Sequence, residues 1–194
     1  MVAGSDNTLE IHTSEAEFVF NADCSGMFSD LINIQSIDFG NCVNTANVTI
    51  MGNMFDGCSA LSSLDLSSFN TERVINIFFM FYNCSSLTSL DVSSFNTSNV
   101  MFMHYMFNNC SALTSLDLSS FNTEKVQYFG DMFTDLGKNA ANQPIPVYVT
   151  AAGYNILKNE NTDINQWYAK YVYPCELSTG STFNASVNSF LESN

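Results

Sequence analysis

One motif, MFxxCSxLxSLDxSSFNTxxV, recurs without a gap over Met54–Phe79, Met80–Tyr105 and Met106–Asp131. Cys58, Cys84 and Cys110 lie 26 residues apart, as do Leu64, Leu90 and Leu116, and Phe69, Phe95 and Phe121. A fixed period of this length marks a supersecondary unit stacked on copies of itself, because no single unit buries its apolar face alone. Few folds satisfy that condition.

Within one repeat, Leu90 and Val92 fall on one side of an alternating segment and Ser89, Asp91 and Ser93 on the other, which predicts a strand. The same alternation recurs at Leu64/Leu66 and Leu116/Leu118. Asn96-Thr97-Ser98 then reads as an N-cap cluster before Val100, Met103, Met106-Phe107 and Cys110, the spacing of one helix face. Matching helices are expected from Val48, Val74 and Val126. A decayed copy, from Met27-Phe28 through Ile37-Asp38-Phe39 to Val48, precedes the three clear repeats with one extra residue after Cys42. Glu17 to Phe20 offers a further strand. The expected fold is therefore α/β: a right-handed leucine-rich-repeat solenoid with parallel strands on one face, short helices on the other, and a C-terminal cap.

The expected divisions are an N-terminal cap at 1–26, repeats of about 26 residues over 27–136, a C-terminal cap at 137–175 and a tail or linker at 176–194. In that cap Ile145–Val149 reads as an edge strand tolerating Pro146, and Ala151–Lys158 and Ile164–Tyr171 as short helices.

Five basic residues against 19 acidic ones give a net charge of −14, leaving no basic patch to neutralise phosphates. Nucleic acid and anionic membrane surfaces are therefore not expected partners. No run approaches the ~20 apolar residues of a membrane span, and MVAGSDNTLEIH lacks the basic and apolar regions of a signal peptide. Cys58, Cys84 and Cys110 sit among Leu and Phe, as expected of buried reduced thiols. Cys24, Cys42 and Cys175 lie off that column, and a disulfide among them stays open. No Cys or His spacing suits zinc, so neither metal nor cofactor is expected.

The string at Met80–Val100 resembles the repeats of BspA-type leucine-rich-repeat surface proteins of bacteria, and the resemblance runs from Met27 to about Phe133. It implies a secreted or cell-surface, non-enzymatic protein that adheres to host proteins, matrix or other cells.

Two features could carry binding. Asp38, Asp65, Asp91 and Asp117 form a column which, in a parallel stack, places carboxylates ~4.8 Å apart. Such a column could bridge a cation or read a ligand; the favoured reading is a solvated ladder in which each Asp caps a nearby Ser or backbone amide. On the helices, Phe79, Phe102, Tyr105 and Tyr128, with His104 and Phe78 alongside, would make an outward diagonal stripe. Large exposed apolar patches mark interfaces, although a covering tail or a misphased helix would also account for the pattern. Catalysis has little support, since neither a nucleophile motif nor a phosphate loop is present. The expected role is adhesion to an extracellular protein or glycan. The alternatives are a structural spacer that dimerises through the aromatic stripe and, remotely, a carbohydrate-active enzyme.

Overall fold

The computed structural model describes residues 2–3, 7–11, 13, 17–40, 42–141, 145–153 and 167–171, the backbone alone at 2–3 and 167–171. His12, Cys175 and residues 176–194 lie outside them.

The period is realised as a parallel stack of coils, each hydrogen-bonded to the next along several sides. On one side, β2 (Thr8–Glu10), β4 (Ser36–Asp38) and β6 (Ser63–Leu64) pair in parallel, with Leu9, Ile37 and Leu64 in register. β1 (Val2–Ala3) runs antiparallel to β2 at the end of this sheet. The column resumes at β7 (Leu116–Asp117), followed by β8 (Ile145–Val149) and β9 (Trp167–Tyr171), all parallel. A second side holds β3 (Phe18–Val19) beside β5 (Val43–Asn44). On a third, single bridges link Asp23, Ile50, Asn76, Phe102 and Tyr128. The stack therefore begins one coil earlier than the sequence repeat, with Thr8–Glu10 and Phe18–Val19 in its first layer.

The α/β solenoid with a helical face is not what forms. Among the described residues the only helical segment is a single turn at 151–153, and the segments after Val48, Val74, Val100 and Val126 are successions of turns. Asn70, Asn96 and Asn122 do behave as caps: each side-chain oxygen accepts from the N–H two residues on, in Glu72, Ser98 and Glu124. One turn follows, closed by Val74 N–H to Thr71 O, Val100 N–H to Thr97 O and Val126 N–H to Thr123 O. Propagation then stops, because alternate N–H groups bond to the next coil. Met51, Asn53, Phe55 and Gly57 donate to the carbonyls of Asn76, Phe78, Met80 and Tyr82, and Ile77, Phe79, Phe81 and Asn83 to Phe102, His104, Met106 and Asn108. Intervening donors close i→i−3 turns, as in Met54 to Met51 and Cys58 to Phe55. Two positions per coil have positive φ, the column Gly26, Asn53, Phe79, Tyr105, Asp131 and the column Asp30, Gly57, Asn83, Asn109, Asp135. Left-handed residues end any helix. At Gly57 a Cβ would also collide with the Asp30 carboxylate.

The core is a set of ladders running along the stack. Phe28, Phe55, Phe81, Phe107 and Phe133 lie parallel, with successive ring centroids 5.6, 5.7, 5.8 and 6.5 Å apart. Leu61, Leu87 and Leu113, and Met54, Met80 and Met106, are likewise buried. Each such side chain contributes about 1.5–3 kcal/mol of burial.

A buried threonine column supplies the polar counterpart. Thr71 donates its hydroxyl to Asn96 O (3.2 Å) and accepts from Asn96 N–H (2.8 Å). Thr97 repeats the exchange with Asn122 at 2.9 and 2.8 Å, and Thr45 does so with Asn70. Each hydroxyl thus satisfies two backbone groups that would otherwise be buried unpaired.

The expected C-terminal cap also changes. Ile145–Val149 is the central strand of its sheet rather than an edge, and Trp167–Tyr171 is strand rather than helix. Pro146 is tolerated because pairing with β7 begins one residue later, at Val147. The remainder of the expected helices, at 154–166, lies outside the described residues. At Ser89–Asp91, where a strand was expected, none forms.

Candidate functional site

The strand side presents the aspartate column in a shallow groove of about 390 Å³, lined by Ser36, Asp38, Ser63, Asp65, Ser89 and Asp91. Its carboxylates are engaged locally. Asp38, Asp65, Asp91 and Asp117 each accept from an N–H two residues on, of Gly40, Ser67, Ser93 and Ser119, at 2.8–2.9 Å. The Ser67 amide and then its hydroxyl hold the Asp65 carboxyl below its usual value; the Ser93 hydroxyl and then its amide do the same for Asp91. Among the described residues no three His, Cys, Asp or Glu side chains converge to hold a metal. The groove is thus a row of turn caps, alike in every coil.

The thiols of Cys58, Cys84 and Cys110 are buried and free, each donating to a carbonyl of the preceding coil: Phe28, Phe55 and Phe81, at 3.0, 3.1 and 3.1 Å. Burial pushes the Cys58 thiol up to about 11, and Cys84 and Cys110 upward as well. They are poor nucleophiles at neutral pH. Cys24 and Cys42 are also free.

The turn side differs from coil to coil. Two adjacent outward positions hold Gly52-Asn53, then Phe78-Phe79, then His104-Tyr105, then Gly130-Asp131. No helix carries these residues, so the expected helical stripe does not exist; the parallel stack brings the rings together instead. Phe79 and Tyr105 stack at 4.6 Å and 18°, Phe78 and His104 at 5.3 Å and 4°, and Phe102 and Tyr128 at 5.3 Å and 6°. Edge contacts join these pairs: His104 meets Phe79, Tyr105 and Tyr128 at 5.6, 5.9 and 6.5 Å. Tyr82 packs on Phe79 at 5.1 Å. Gly52 makes the arrangement possible, since a Cβ there would sit 2.7 Å from the Phe78 ring.

Backbone geometry separates Phe79 and Tyr105 from ordinary surface aromatics. Their φ angles are +55° and +58°, in a column whose other members are Gly26, Asn53 and Asp131. Gly, Asn and Asp tolerate this region, whereas a bulky side chain there costs about 1–3 kcal/mol. Tyr128, at the end of its stacked pair, is 56% exposed.

Polar groups thread the cluster. The Asp131 carboxylate, by its hydrogen bond to the Tyr105 hydroxyl and then by its charge, raises the Tyr105 pKa. The His104 Nδ1 is buried without a hydrogen-bond partner, and burial lowers the pKa of the imidazole. The His104 imidazole is therefore neutral at neutral pH.

Sequence reasoning named Phe79, Phe102, His104, Tyr105 and Tyr128, and these meet, with Tyr82 added. It did not anticipate their left-handed backbone, for which Gly26, Asn53 and Asp131 in one column were the available signal. It also passed over the threonine column, whose signal was the unvaried Thr of the FNT triplet.

No curated protein and no solved structure matches the chain. A family model described as Mycoplasma protein of unknown function, DUF285, matches residues 22–148, which run from the first coil into β8 and contain the whole aromatic cluster. The BspA-type resemblance read from the motif is not what this match reports. With about two thirds of its length matched, the chain belongs to the DUF285 family.

Proposed function

We propose that this chain is a non-enzymatic binding module, carried by a secreted or cell-surface protein, that adheres to a protein or glycan through the aromatic edge of the stack. The observation that carries this reading is the placement of Phe79 and Tyr105 at positive φ. Stability alone favours Asn, Asp or Gly in that column, so aromatic rings kept there at a backbone cost argue for a contact outside the chain. The rings also break the repeat where the core keeps it, as a recognition surface does. The surface location is supported by the motif's resemblance to BspA-type repeats.

The test is to measure binding of immobilised matrix proteins and glycans to the wild type and to Phe79→Asn/Tyr105→Asn. Loss of binding with retained thermal stability is expected. Binding that survives this change but disappears in Asp65→Asn/Asp91→Asn moves the site to the groove.

A further inference from the structure

The geometry points to a partner of one chemical class: a protein segment bearing arginine or lysine side chains, whose cations seat on the rings of Tyr128 and of the Phe79–Tyr105 pair. The inference rests on the reading of the aromatic edge as the binding surface and narrows what that surface takes.

The faces of aromatic rings are electron-rich and attract guanidinium and ammonium groups within ~6 Å of the centroid. Arginine is the better fit, since its planar fork stacks on a ring and pairs with a carboxylate together. Both elements are present here. Tyr128 closes the Phe102–Tyr128 pair and remains 56% exposed. Asp131 follows Phe79 and Tyr105 in the same column of the stack, and its carboxylate is near enough to raise the Tyr105 pKa.

The described cationic side chains make their contacts elsewhere. Among the described side chains, Arg73 donates to Asn47, Lys125 to Asn99, and Lys138 pairs with Asp135. The cluster also supplies no cation internally, because the unpartnered, buried Nδ1 of His104 disfavours the imidazolium. Among the described side chains, an aromatic surface bordered by a carboxylate is thus left without the charge that complements it.

Whole-molecule charge points the same way. At −14 the chain steers basic segments toward itself and repels a second copy. A glycan fits less well, since sugar recognition needs hydrogen-bonding groups around the ring. Of those near the rings, the Asn108 amide already donates to the Asp131 carbonyl.

The test uses the full chain, labelled for aromatic carbon NMR and titrated with hexa-arginine, hexa-lysine and an uncharged Gly-Ser hexapeptide at low and high salt. Asn is the natural replacement, because Asn53 fills the column of Phe79 and Tyr105 and Asn76 that of Tyr128. Thermal unfolding of each variant establishes that it folds. The expected result is saturable shifts of the Tyr128, Phe79 and Tyr105 rings with hexa-arginine, weaker with hexa-lysine and absent with Gly-Ser. Affinity should fall about tenfold in Phe79→Asn/Tyr105→Asn, and less in Tyr128→Asn. Asp65→Asn/Asp91→Asn should bind within about twofold of wild type.

Larger losses in the Asp65/Asp91 variant than in the ring variants would overturn the inference, showing charge attraction to the groove. Ring-dependent binding of an uncharged ligand, or self-association in the ultracentrifuge that Phe79→Asn/Tyr105→Asn abolishes, would also overturn it while leaving the edge a binding surface. If the ring variants change no interaction with any peptide, matrix protein or glycan, this inference and the proposed function fail together.

Discussion

The strand side and the turn side of each coil are built on the same period and treat it in opposite ways. On the strand side four successive coils repeat the same chemistry: an Asp caps the N–H two residues on, whether Gly40, Ser67, Ser93 or Ser119. On the turn side, equivalent positions hold glycine and asparagine, then two phenylalanines, then histidine and tyrosine, then glycine and aspartate. Uniformity is what a stacking rule requires, since every layer must present the same face to the next. Variation gathered on the outward columns of one side, in a chain whose inward columns hardly change, is what recognition requires. Repetition is a poor guide to a ligand site; departure from it is a better one.

The comparison can be broken by perturbing each region in turn, beginning where the effect should be largest. Phe81→Ala removes the central ring of the buried phenylalanine ladder and should cost about 3–5 kcal/mol in denaturant unfolding. A cost under ~1 kcal/mol would mean that the ladder can be interrupted and that repetition is not enforced by packing. Thr97→Val keeps the shape but strands the Asn122 N–H and carbonyl, and should cost about 1–3 kcal/mol.

As pH falls, the turn side should respond before the strand-side carboxylates do. The pKa of His104 is lowered from its ordinary 6.5 by burial, so the unfolded chain takes up the proton first as pH falls. Its effect is absent above pH 6.5; stability then declines as pH drops through the folded-state value and levels off below it. His104→Phe should abolish that part of the decline, leaving the part due to the carboxylates. An unchanged pH profile would mean that the imidazole is solvated in the native state.

The smallest effect is the most telling. Phe79→Asn relieves a left-handed aromatic but gives up a ring stack, so stability should stay level or rise by up to ~1 kcal/mol. A fall of 2 kcal/mol or more would make the ring a structural element and remove the distinction between the two sides.

Much of the molecule was legible in the sequence. The stagger that pairs Ile37 with Leu64 follows from aligning the decayed repeat on its neighbour, and the inward columns follow from the motif. The helices did not follow, for a physical reason. Met51, Met54, Phe55 and Cys58 are all buried, and their spacing of three, one and three is that of a helix face. A pair of turns hinged at left-handed Asn53 and Gly57 gives the same spacing, so periodicity cannot tell them apart. Two columns rich in Gly, Asn and Asp could have. For the site, the aromatic residues stood out in the sequence but their strain did not, because φ leaves no trace in an aromatic residue's own letter. In the C-terminal region Ile145–Val149 read correctly as a strand but, through Pro146, as an edge, and the Trp167 segment read as a helix where a strand forms.

The alternating amide pattern bears on how such an array changes length. Because Met51, Asn53, Phe55 and Gly57 each bond into the next coil, a whole coil can be excised and the cut faces rejoined with the same partners. Loss of a single residue inside that segment swaps donors that face the neighbour for donors that face inward. The coil is thus the unit of mutation as well as of structure, and arrays of this design can lengthen or shorten by duplication without relearning how to fold. Recognition then becomes portable: a pair of coils carrying rings can be copied or moved to any place where the coil before it offers a glycine, as Gly52 does for Phe78.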